Sequence, residues 1–144
     1  MTSSLAPLLA QREALAQDLA QVVDDEVKGQ TGMSGAAVKA AYATVRKFKP
    51  GIVATATWHM LPGFLDALAP FWDERGSSPF GEYLTAHSEA ASEALLAVTD
   101  QQAQSAAAPL AKAYTSLRGK GKGYVAAALG PVGEAIAGHA DDAA

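Results

Sequence analysis

LAPLLAQREALAQDLAQVVDDEVKG, residues 5–29, decides the class of fold. Leu8, Leu15 and Val22 stand seven apart, flanked by Leu5, Leu9, Leu19, Val23 and Val27, so the large apolar residues recur at the helical period and fill one face. Ser3 or Ser4 is placed to cap this helix, Pro7 is tolerated in its first turn, and Gly29 and Gly32 stop it. No stretch of the chain alternates apolar and polar residues as a half-buried strand does.

Outward from there the same period returns. Ser34 is the expected cap of a second helix with Val38, Ala41, Tyr42, Val45 and Phe48 on its face; Pro50 ends it, because its ring cannot continue the hydrogen-bond ladder. A third helix is expected from Pro50 to Leu61, and a short fourth after Pro62 with Phe64, Leu65, Leu68 and Phe71. DERGSSP at 73–79 is a polar turn. Ser78 then caps a long helix, with Pro79 at its first position and Phe80, Tyr83, Leu84, His87, Ala91, Ala94, Leu95 and Val98 on its face. After a polar stretch comes a helix carrying Leu110, Ala113, Tyr114 and Leu117, which GKGKG at 119–123 interrupts. Two short helices divided at Gly130-Pro131 follow, with residues 141–144 fraying. The expected architecture is all-α, a single compact helical domain over residues 1–144.

Composition limits what such a domain does. The 144 residues include 33 alanines against 38 Leu, Ile, Val, Met, Phe, Trp and Tyr together, so the core is thin and relies on helices packed closely. Charged residues make up 18% and the net charge is −4, which excludes a disordered chain and a strongly basic nucleic-acid tail. The absence of cysteine excludes disulfides, zinc thiolate sites and thiol nucleophiles. The N-terminus lacks a secretory signal, and the least polar segment, 51–72, is broken by His59, Pro62, Gly63, Asp66 and Pro70, so no membrane span and a cytoplasmic location are expected.

The chain also resembles itself at an offset of 72 residues. Residues 36–56 laid on 108–128 give 8 identities in 21 positions: four alanines, Tyr42 with Tyr114, Arg46 with Arg118, Gly51 with Gly123, and Val53 with Val125. An internal duplication into halves of about 1–72 and 73–144 is the expectation.

SGAAVK at 34–39 with Tyr42, KPGIV at 49–53, PFW at 70–72, ALLAVTD at 94–100 and KAYTSLRGK at 112–120 resemble a family of short actinobacterial helical proteins classed as a domain of unknown function. The resemblance runs from about residue 5 to 140. It implies a bacterial, cytoplasmic helical protein and brings no activity, ligand or catalytic residue.

Six of the 11 Lys and Arg fall at matched places: Arg46, Lys47 and Lys49 before Gly51, and Arg118, Lys120 and Lys122 before Gly123. Cations beside glycine near a helix start can hold an anion, such as a phosphorylated small molecule or a protein partner. The same cations also suit ordinary helix ends, where each stabilises the last turn by roughly 0.3–1 kcal/mol. Lys49 and Lys122 fit that account poorly, because each stands before the next helix; an anion or a neighbouring carboxylate would resolve the conflict. The basic runs are too short for a nucleic-acid footprint.

His87 is expected in the core, and His59 and His139 are too far apart in sequence for a metal pair. Asp24, Asp25 and Glu26 read as a solvated helix end, Tyr42 and Tyr114 as matched core residues with surface hydroxyls, and Trp58 and Trp72 as core anchors. No cofactor motif and no nucleophile motif occurs, so a non-enzymatic binding protein is the leading expectation. A structural or interaction module, acting through an alanine-rich face as a helical homodimer, is the alternative.

Overall fold

The computed structural model describes residues 5–29, 32–49 and 51–143. A 3-10 turn, Ala6–Gln11, leads into α1 (Arg12–Lys28), followed by α2 (Gly32–Phe48), α3 (Ile52–Glu74), α4 (Phe80–Ala86), α5 (Ser88–Ala103) and α6 (Ala108–Ala143). Every regular element among the described residues is a helix; the protein is all-α, as the periodicity requires. Leu8, Leu15 and Leu19 form one core with Leu61, Leu65 and Leu68 of α3, Phe80 and Leu84 of α4, Leu95 of α5, and Leu129 and Ile136 of α6. α6 packs against α1, α2, α4 and α5, and its far end is tied to the start of the chain: His139 Nδ1 lies 2.6 Å from Gln11 Oε1 and Nε2 lies 2.7 Å from Asp18 Oδ2.

Several helix boundaries differ from the expectation. Pro62 does not divide α3, which runs from Ile52 to Glu74 with Pro62 and Pro70 inside it. A proline there withholds the amide that would serve the carbonyl of Trp58, four residues back. Arg12 serves it instead: Nε donates to the Trp58 carbonyl at 2.8 Å while the guanidinium lies 3.6 Å from the centre of the Trp58 ring. Trp58 is accordingly a half-exposed platform under Arg12 and not a core anchor, whereas Trp72 is half-buried, edge-on to Phe80 and under Arg75.

GKGKG at 119–123 and Pro131 do not interrupt the last helix either; α6 is continuous over 36 residues, about 54 Å. Each interior glycine costs roughly 1 kcal/mol against alanine. Packing against four other helices outweighs that cost. α6 also continues through residues 141–143, where fraying was expected, and Ala144 lies outside the described residues.

The helix expected from Ser78 is broken at His87, whose φ −114° and ψ 37° separate α4 from α5. Its amide is shared between the carbonyls of Tyr83 and Leu84, its ring stacks on Tyr83, and its side chain is exposed, so it is not a core histidine. Pro79, not Ser78, holds the cap position, with no side-chain cap. α2 begins at Gly32, two residues before the expected cap Ser34; the cap candidates Ser3 and Ser4, and Pro50, lie outside the described residues.

Leu8, Leu15 and Leu19, and the residues 76 positions later, Leu84, Ala91 and Leu95, are all buried. Gln11, at the join of the 3-10 turn and α1, has φ −112° and ψ 28°, close to His87 at the α4–α5 join. α4 meets α6 at a glycine crossing: a Cβ on Gly81 would lie 2.5 Å from the Gly130 carbonyl oxygen, and one on Gly133 2.5 Å from the Gly81 Cα.

Candidate functional site

Between α3 and α6, closed at the sides by α1, α2 and α5, lies an apolar cavity of about 370 Å³. Met60, Phe64 and Leu68 line it from α3, Val125, Ala128 and Val132 from α6, Leu95 and Leu96 from α5, and Val23 and Val45 from α1 and α2. Helical spacing on each element turns these residues toward the cavity, with Val23 still 40% exposed. The polar side chains in the wall are Tyr42, Thr57, Thr99 and Tyr114. Thr57 is satisfied by the Val53 carbonyl at 2.7 Å, and Thr99 donates to the Leu96 carbonyl at 3.0 Å.

Each tyrosine belongs to a cluster with an arginine one turn later on the same helix and an aspartate from the end of the preceding one. The Tyr114 hydroxyl donates to Asp100 Oδ1 and lies 2.9 Å from Thr99 Oγ1, while Arg118 grips the Asp100 carboxylate with Nε at 2.8 Å and Nη2 at 3.2 Å. The Tyr42 hydroxyl donates to Asp24 Oδ1 at 3.4 Å, Arg46 Nη1 reaches the same oxygen at 3.4 Å, and Lys28 takes Oδ2 at 2.7 Å. Hydrogen bonding by Lys28 holds the Asp24 carboxyl below its ordinary range, and Arg118, then Tyr114, does the same for Asp100. Burial, with the neighbouring carboxylate, pushes the hydroxyls of Tyr42 and Tyr114 up.

The eight residues read as twin basic turns therefore part company. Arg46 and Lys47 end α2, Lys49 is exposed in the connection, and Gly51, at φ 72°, opens α3; this turn exists as expected. Arg118, Lys120, Lys122 and Gly123 lie inside α6, so the second turn does not exist. Lys122 ion-pairs with Glu89 at 2.8 Å and Glu93 at 3.1 Å on α5, which resolves its charge with carboxylates.

Asp24 is not a solvated helix end; its side chain is 17% exposed and organises three partners. The sequence signal for the clusters was the Tyr-x-x-x-Arg pair at 42/46 and 114/118, which a search for charge alone passes over. The cavity had no such signal, because its lining reads as ordinary core. Among the described residues no three His, Asp or Glu side chains gather as a metal-ligand set, and no helix is long and apolar enough to cross a membrane.

Residues 5–140 match a family of unknown function (DUF6918). The chain belongs to that family. No curated protein and no solved structure matches it.

Proposed function

We propose that the protein binds a small, largely apolar molecule in the cavity between α3 and α6, without catalysis. The cavity itself carries this reading. Ligand sites commonly measure about 300–1,000 Å³ and combine apolar walls with a few placed polar groups. Water entering from the mouth finds few partners, since the wall hydroxyls are already engaged.

The twin aspartate–tyrosine–arginine clusters, the matched buried leucines and the matched backbone at Gln11 and His87 support an internal duplication, with the cavity enclosed between the two halves. An anion-binding role is kept only for the Arg46–Gly51 end, beside the cavity. Large exposed apolar side chains among the described residues are Val23, Phe48 and Trp58, ordinary single exposures that give a homodimer little support.

Titration with N-phenyl-1-naphthylamine, a neutral dye that fluoresces in apolar surroundings, tests the proposal. A saturable one-to-one signal is expected, weakened at least about tenfold in Ala128→Phe. That variant fills the void and should melt no lower than the parent. A linear, unsaturable signal, or one indifferent to Ala128→Phe, would remove the cavity as a binding site.

A further inference from the structure

The geometry points to an anionic amphiphile as the ligand: an unbranched carboxylate whose hydrocarbon chain lies in the cavity and whose head sits beside Arg46. This inference rests on the cavity reading and adds the polar end.

A second depression, about 470 Å³, adjoins the apolar cavity, and Tyr42, Ile52 and Val53 belong to the walls of both. Its lining is of another kind: Gln17, Gln21, Asp24 and Arg46 with the first turn of α3. Polar vestibule and apolar chamber thus lie side by side against the same three residues, the placement that a molecule with a polar head and an apolar body would span.

Comparison of the two matched clusters gives the sign of the head. At Asp100 one arginine meets one carboxylate through two nitrogens, and the pair is closed. At Asp24 two cations share one carboxylate; Lys28 holds it at 2.7 Å, leaving Arg46 a single 3.4 Å contact and a side chain 61% exposed. Among the described residues, the Asp24 cluster thus sets two cations against one carboxylate, and Arg46 is the more weakly held of the two. Arg46 carries a planar fork of donors suited to a carboxylate, and the start of α3 presents the positive end of its dipole to the same space. The chain of the ligand meets the Tyr114 end, where Asp100 already satisfies Arg118 and nothing is left for a second head.

Isothermal titration of the full chain with decanoate and with 1-decanol, which share a hydrocarbon chain and differ in head, separates the claims. Decanoate should bind about tenfold or more tightly than decanol. Arg46→Ala should abolish that preference with little change for decanol, and Arg46→Lys should restore part of it. Ala128→Phe should weaken both, with Ala56→Leu filling the cavity from α3 if the first variant does not fold. Equal affinity for the two in the parent, both still lost in the cavity-filling variant, would overturn the anionic head and leave the cavity reading standing. Binding of neither, or binding untouched by either cavity-filling variant, would overturn both.

Discussion

Arg12 does two jobs at a single point, and both follow from a proline on another helix. Pro62 leaves the Trp58 carbonyl without its helical donor, and Arg12 supplies one while covering the exposed indole face. Arg12→Met keeps most of the apolar stem but loses both interactions. It should cost about 1–2 kcal/mol by chemical denaturation, and Arg12→Lys, without the planar fork, should recover only part of it. A second residue works in the other direction. Ser92 is fully buried on α5 and its hydroxyl has no hydrogen-bond partner among the described residues. The position 76 residues earlier is Ala16, also buried. Ser92→Ala should therefore raise stability by about 1 kcal/mol, the desolvation cost it removes; a loss of stability would mean that the hydroxyl is engaged.

At the scale of elements, the glycine crossing fixes how closely α4 lies on α6. Adding one methyl at Gly133 places it 2.5 Å from backbone atoms of Gly81, which no side-chain rotation relieves. Gly133→Ala should cost about 3 kcal/mol or more, whereas Gly138→Ala on the same helix, with open space at its Cβ, should be neutral or slightly stabilising. The contrast shows why helix type was legible in the sequence and helix ends were not. The 3.6-residue period is a property of each segment alone, and among the described residues each segment that carries it is helical, the 3-10 turn at Ala6–Gln11 and the break at His87 apart. Whether Pro62, Pro131 or GKGKG at 119–123 breaks a helix depends on what packs there. At Pro62 the answer lies in Arg12, 50 positions away; at Lys122 it lies in Glu89 and Glu93. The break at His87 was hidden for the converse reason, since the apolar pattern from Phe80 to Val98 runs through it without a gap. Of the site, only the basic residues and the two tyrosines stood out, because a cavity wall and a close-packed core use the same amino acids.

Across the whole molecule, the polar clusters that bind one helix to another bound stability in pH from both sides. Asp24, Asp100 and Glu89 have folded-state values lowered by their cationic partners. A lowered carboxylate contributes stability that is complete above its unfolded value, 3.8 for the aspartates, and is lost as pH falls through the folded value. Tyr42, Tyr114 and Lys122 have raised values, so their contribution is complete below the unfolded values, 10.0 for the tyrosines and 10.5 for the lysine, and is lost as pH rises through the folded ones. The melting temperature should accordingly show a plateau through neutral pH, an acid limb beginning below about pH 5 and an alkaline limb above about pH 10. Asp100→Asn should cost about 1 kcal/mol on the plateau, modest because the pair is partly exposed, and should shrink the acid limb, variant and parent converging as pH falls through the lowered folded value of Asp100. Tyr114→Phe should shrink the alkaline limb and, because its hydroxyl also helps to hold the Asp100 carboxyl down, should trim the acid limb less than Asp100→Asn does. An acid limb as steep in Asp100→Asn as in the parent would show that the Arg118–Asp100–Tyr114 cluster does not carry the coupling between α5 and α6 that its geometry implies.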